Sequence, residues 1–424
     1  MKKIFLSITL LVTIIKLQAQ ETVYPAPAQS GNIVLTHATI HIGNGQVLQD
    51  AMILFRDGKI ISVGPTESIK DNAKIIDCTG KQIYPGLISP VTDLGLSELS
   101  AVRSTNDNYE LGDINPNIRS IVAYNTDSKV IDNTRANGIL LANVIPQGGI
   151  ISGASSVVQL DAWNWEDAAY QTDGGIHFNM PYLERFSAQG DDPLKTGMDQ
   201  IENVRNFLRQ AKAYADEPKH EHTNIKFESV KGLFSKKQIF FVHCELVKEM
   251  MIAVEFAKEF GFKTVLVGGT DSYKITDYLK QNNIAVILNE MNSLPALQDD
   301  DVDMPFKTPY LLQQAGVVYC ISDPNQSTRF RNLAFNAGIA AGHGLTKEQA
   351  LQAITLNTAK ILGIGDRTGS LENGKDATII VSEGDILDIR TNNVIYAFIQ
   401  GRQINLDNKQ KQLYEKYKYK YNLK

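Results

Sequence analysis

The chain has 424 residues, 43% of them hydrophobic and 21% charged, which allows a large core and excludes a disordered or fibrous protein. Its formal net charge of -5 offers no basic field for nucleic acid or anionic lipid, and no long run of one sign suggests an interaction tail. Three cysteines, Cys78, Cys244 and Cys320, are odd in number and far apart, so they read as buried thiols and not as a disulfide framework.

Residues 1–20 have the build of a secretory signal: Lys2 and Lys3, an apolar run over 4–15, then Leu17, Gln18 and the small Ala19 at a place that suits cleavage. The mature protein is therefore expected to be secreted or periplasmic. An apolar run of about a dozen residues falls short of the roughly 20 that cross a bilayer, so no membrane span is expected after signal removal.

Residues 30–82 alternate Val/Ile-rich runs with turns such as Asp57-Gly58, the pattern of a small β-domain. A matching set returns over 366–404, so the two ends of the chain are expected to build one discontinuous domain, followed by a tail over 405–424. Between them, over 83–365, strands alternate with helices, the pattern of a parallel (β/α)8 barrel of the TIM type. The predicted strands are 83–88, 138–145, 157–160, 238–243, 264–267, 285–288 and 317–322. Helices are predicted over 245–260, 272–281, 309–314, 333–341 and 347–362. The stretch 163–237 is the least regular and reads as an insertion over the barrel, with a helical pattern near 197–214.

Barrel enzymes place reacting groups where strands end, and several short motifs lie there. Pro85-Gly86-Leu87-Ile88 begins a run that continues to Val91 and Asp93. His243-Cys244-Glu245 closes IFFVHCE, Gly268-Gly269 closes KTVLVGG, and Asp323 closes VVYCISD. GLTKEQALQAITLNTAKILG and GSLENGKD follow. These runs resemble the amidohydrolase superfamily, and most closely its imidazolonepropionase-like members. The resemblance implies a TIM-like barrel beside a small β-sandwich built from both chain ends.

In that family two histidines of an H-x-H pair leave the first barrel strand, and here Val91 and Asp93 stand in their places. His243 matches the first histidine of a fifth-strand pair and Glu245 stands at the second. Gly268 and Gly269 stand where the next strand should offer a histidine. The resemblance implies that His243 is a metal ligand, with Asp93 or Glu245 as added donors to one divalent ion, zinc being the best suited, or that no metal is held. It implies that Asp323 takes a proton from the attacking water. Each residue keeps a structural alternative: a core histidine for His243, a turn former for Asp93 and Asp323, a helix cap for Glu245.

Gly148 and Gly149 in QGGIISG, with Gly268 and Gly269, are the predicted substrate-facing backbone. His220 and His222 read as a solvated loop, and His37, His41 and His343 carry no site signal. The function implied is a hydrolase for a small molecule's carbon–nitrogen bond, of the non-peptide or dipeptide type. A barrel that has shed catalysis and serves as a binding or structural protein of the cell envelope is the alternative.

Overall fold

The computed structural model describes residues 23–66, 72–99, 101–183, 192–289, 291–293, 301–323 and 330–423. The expected signal at 1–20 and the residues that follow Asp323 up to 329 lie outside them.

Strands β1 (Asn32–His41), β2 (Val47–Arg56), β3 (Lys59–Pro65), β4 (Ala73–Asp77) and β5 (Gln82–Pro85) come from the front of the chain. They join β14 (Ile379–Ser382), β15 (Val394–Ile399) and β16 (Arg402–Gln403) from its far end in one eight-stranded sheet. The suture is the antiparallel pair of β5 and β14, with Ile83 opposite Val381 and Tyr84 opposite Ile380. Alternation buries Leu35, Ile53, Phe55, Ile83, Ile379 and Phe398 in a core of their own, as period-2 patterning on a half-covered sheet requires.

The second sheet is the barrel: β6 (Leu87–Thr92), β7 (Ile139–Val144), β8 (Ile151–Gln159), β9 (Ala169–Asn179), β10 (Ile239–Cys244), β11 (Thr264–Gly268), β12 (Ala285–Leu288) and β13 (Tyr319–Ile321) pair in chain order. The eight strands nearly close. The seam between β6 and β13 is crossed by the Ser322 hydroxyl donating to the Val91 carbonyl at 3.3 Å. Helix α1 (Pro193–Asp216), α2 (Ile225–Phe234) and α3 (Val247–Phe260) are among those that cover the sheet.

Three expectations change. The strand predicted over 83–88 is two strands, parted at Gly86, where any Cβ would meet Thr378 Cγ2 at 2.6 Å and Leu140 Cδ1 at 2.9 Å. That close approach is where the small domain meets the barrel. The insertion expected over 163–237 contains a full barrel strand, β9, and β8 runs antiparallel to both β7 and β9. The helix predicted over 347–362 breaks into α4 (Lys347–Ala353) and α5 (Leu356–Ile361), and between them the Ile354 carbonyl accepts from the Ile88 amide at 3.0 Å. The thiols of Cys78, Cys244 and Cys320 are buried and free, as read from their spacing.

Candidate functional site at the barrel mouth

A cavity of about 300 Å³ opens at the carboxyl ends of the barrel strands. Asp93 follows β6, Asn179 ends β9, His243 and Glu245 close β10, and Asn289 follows β12. All five line it, with Val91, Gln147 and Gly148. Strand ends supply these side chains because each leaves its ladder there and turns toward the open end.

Asp93 accepts from Asn108 Nδ2 at 3.3 Å, and burial pushes its carboxyl above the ordinary range. The turn at this place is made by Thr92, whose hydroxyl accepts from the Leu94 amide at 3.1 Å. His243 Nε2 lies 2.8 Å from Nδ1 of His177, a fully buried residue two positions before the end of β9. Burial holds His243 down to about 4 and His177 well below its ordinary value, so both rings are neutral at pH 7.

The second nitrogen of His177, Nε2, is buried with no partner among the described residues. A buried N–H without an acceptor is rarer and costlier than a buried lone pair without a donor. The proton of the pair is therefore assigned to His177 Nδ1, donating to His243 Nε2, which leaves the His243 proton on Nδ1.

Glu245 occupies the space of a missing side chain. Its Oε2 accepts from the Thr270 amide at 3.1 Å and the Thr270 hydroxyl at 2.6 Å. Its Oε1 lies where a Cβ on residue 268 would sit, and Gly268 itself has φ +103. The carboxylate fits because residue 268 has no side chain. Helix α3 is capped by Glu249, whose Oε2 accepts from the amides of Glu245 and Leu246 at 3.1 and 3.2 Å. Glu245 therefore keeps its carboxylate on Thr270 and is not the cap.

The sequence-predicted residues are only partly brought together. Asp93, His243, Glu245 and Gly148 face one cavity, while Gly149, Gly268, Gly269 and Asp323 are absent from its lining. Gly149 instead offers its carbonyl to Asn179 Nδ2 at 2.9 Å, and the amide of Gly269 donates to the Cys244 carbonyl at 2.8 Å. Asp323, after β13, is 3% exposed. His177, Asn179 and Asn289 were not anticipated. Asn289 directly follows the predicted strand 285–288 and was open to the strand-end rule, whereas His177 and Asn179 lie on the unrecognised β9.

The donors do not fit the metal that the family resemblance implies. Among the described residues no three His, Cys, Asp or Glu side chains come together in a set able to hold an ion. Here His243 Nε2 is engaged by His177 and Glu245 Oε2 by Thr270, whereas structural and catalytic zinc sites use three or four converging protein donors.

An eight-stranded barrel with an accessory sheet from both chain ends and a polar cavity at its carboxyl mouth defines the class: a TIM-type barrel with a composite β-domain. The Amidohydrolase family matches residues 318–404. An imidazolonepropionase from Thermoplasma volcanium is 42% identical over 55 residues, 13% of this chain and 14% of that protein, so the match spans about a seventh of the relative's length. The solved amidohydrolase from Thermotoga maritima superposes with a TM-score of 0.79 at 23% identity, covering 88% of this chain and 99% of that one.

A prolidase complexed with N-methylphosphonate-L-proline gives 0.58 at 16% identity over 88% and 100%, and molinate hydrolase 0.54 at 15% over 90% and 96%. Residues 318–404 thus match the Amidohydrolase family model, a 55-residue segment is similar to imidazolonepropionase, and the fold is that of the solved amidohydrolase.

Proposed function

We propose that the protein is a hydrolase acting on an amide-type carbon–nitrogen bond of a small molecule held in the mouth cavity, with a carboxylate and a neutral imidazole doing the chemistry. The observation that carries this reading is that Asp93, after β6, and His243, on β10, reach the same cavity from strands on different sides of the barrel mouth. A carboxylate whose proton affinity is raised by burial is a better base than one in water, and a neutral imidazole N–H can polarise a carbonyl. Water gives its proton to Asp93 as its oxygen adds to the carbonyl carbon. The oxyanion accepts from His243 Nδ1–H, and the carbon–nitrogen bond breaks as Asp93 returns the proton to the leaving nitrogen.

His177 holds the His243 ring in the tautomer that this requires, and Asn179 and Asn289 orient the substrate. Asp323, the base implied by the family resemblance, has the weaker claim because it does not line the cavity. Export through the signal at 1–20 is part of the proposal and is tested by amino-terminal sequencing of the protein from culture medium and periplasm.

A second reading, binding without turnover, is favoured by one observation: His243 and Glu245 are each hydrogen-bonded to a protein neighbour where the family resemblance implies metal. The deciding experiment uses metal-stripped full-length protein, a panel of simple amides, dipeptides and lactams, and elemental analysis beside a His243→Ala control. Turnover by stripped protein, abolished in Asp93→Asn and retained in Asp323→Asn, is the expected result. Saturable binding with no turnover selects the second reading. Activity that appears only on adding a divalent ion, with stoichiometric metal lost in His243→Ala, overturns both.

A further inference from the structure

The net charge of the whole chain hides a local segregation. Helix α6 (Lys409–Lys420) carries five lysines against the single Glu415, a local net of +4, so the rest of the chain carries -9. None of its residues is buried. Tyr414, Tyr417, Tyr419 and Tyr421 are 63%, 49%, 88% and 61% exposed, although a tyrosine ring normally finds apolar cover.

The root of the helix is fixed. Asn408, 4% exposed, caps it by accepting from the Lys411 amide at 2.9 Å, Gln412 donates to Asp407, and Leu406 packs on the barrel core. An element anchored at one end and uncovered along its length is held ready for something outside this chain.

The helical period arranges the residues. Tyr414, Tyr417 and the adjoining Tyr421 recur at spacings of three and four and share one face, where the rings of Tyr417 and Tyr421 stack at 6.4 Å. Lys409, Lys416 and Lys420 run along one flank of that face, and Lys411 and Lys418 along the other. Lys420 Nζ lies over both stacked rings, at 5.9 and 5.1 Å from their centroids.

We propose that α6 docks the protein on an anionic lipid surface, with the tyrosines at headgroup level and the two lysine rows on the acidic headgroups. Tyrosine is a residue of membrane–water interfaces, and basic side chains beside it add attraction to anionic lipid. Charge complementarity chooses the occupant: a helix of net +4 on a body of -9 turns this one element toward a negative surface and the body away from it. The docking is peripheral, since no described helix is long and apolar enough to cross a membrane.

The test is vesicle sedimentation of the full chain with phosphatidylcholine alone and with phosphatidylcholine mixed with phosphatidylglycerol, in low and high salt. Binding to the mixed vesicles only, released by salt, is expected. It should weaken at least tenfold in K416E/K418E/K420E, weaken in Y414S/Y417S/Y421S, and vanish on removal of 409–424. Thermal midpoints should stay unchanged, because no residue of the helix is buried. Absence of sedimentation with mixed vesicles overturns the proposal, as does equal binding by the lysine variant. Retention on DNA, or salt-sensitive self-association, in place of lipid binding overturns it as well.

Discussion

At the scale of single residues, the His177–His243 pair links stability to pH. Burial keeps both rings neutral in the folded protein, whereas the unfolded chain protonates them near the ordinary value of about 6.5. Their folded values are depressed, so the stability they contribute is present above that value and is lost as pH falls toward about 4 for His243. Over that window the His243 shift alone corresponds to roughly 3 kcal/mol. Urea unfolding at pH 7 and pH 5 should show the loss, and His177→Phe, which keeps a ring against Phe241, should lessen it while the part owed to buried His243 stays. An unchanged pH profile in that variant would remove His177 as a contributor.

Gly268 and Glu245 make a second argument at this scale, because one residue's missing side chain is the other's seat. Gly268→Ala adds a Cβ against Glu245 Oε1 at a backbone angle of φ +103, and should cost about 1–3 kcal/mol. Gly268→Ala combined with Glu245→Ala removes the clash with the carboxylate but neither the approach to the Cys244 carbonyl at 2.9 Å nor the backbone strain. A double-mutant cycle by chemical denaturation should show the second change recovering part of the loss. Additive losses would mean that the two residues are not coupled.

Among elements, the join between the front of the chain, the barrel and β16 is made by one carboxylate. Asp161, whose side chain is fully buried just past β8, accepts from Arg135 Nη1 at 3.1 Å, from Arg402 Nη1 at 3.0 Å and from the Ala26 amide at 2.9 Å. Removing a buried acceptor leaves its donors without charge compensation, and that loss exceeds what the pair adds over an apolar substitute. Asp161→Ala should therefore destabilise by about 3–5 kcal/mol, read as a fall in denaturation midpoint. Asp376 ties the same two bodies elsewhere, accepting from Tyr170 on β9 at 2.6 Å and pairing with Lys59 on β3.

For the whole molecule, the limits of sequence reading follow from the same geometry. Parallel strands buried on both faces show as continuous apolar runs, so β10, β11 and β12 fell on their predicted residues within one or two positions. The strand β9 was invisible because Thr172-Asp173-Gly174-Gly175 reads as a turn, and the chain passes through it with shifts of register against β8. His177 and Asn179 were hidden with their strand.

Asp93, His243 and Glu245 were legible because each ends a recognisable run. Their partners, His177, Asn108 and Thr270, come from other segments and could not be read from spacing. The basic helix was missed for a different reason, since a net charge summed over 424 residues averages away a stretch of twelve.

The composite sheet yields the last prediction. Because β5 pairs with β14 and runs through Gly86 into β6, the barrel's first strand is held by a strand that arrives some three hundred residues later. Deleting 366–424 would strip the partner from β5 and uncover Ile83, Tyr84 and the inner face of β1 and β2. An exposed apolar sheet edge invites pairing with other chains. The truncated chain should therefore melt without a cooperative transition, bind a hydrophobic dye and lose near-ultraviolet circular dichroism while keeping far-ultraviolet signal. Removal of 405–424 alone, which leaves every strand of the sheet in place, should retain the parent's transition. If the 366–424 deletion melts as sharply as the parent, the barrel is independent of the small domain and the β5–β14 suture is not what completes the fold.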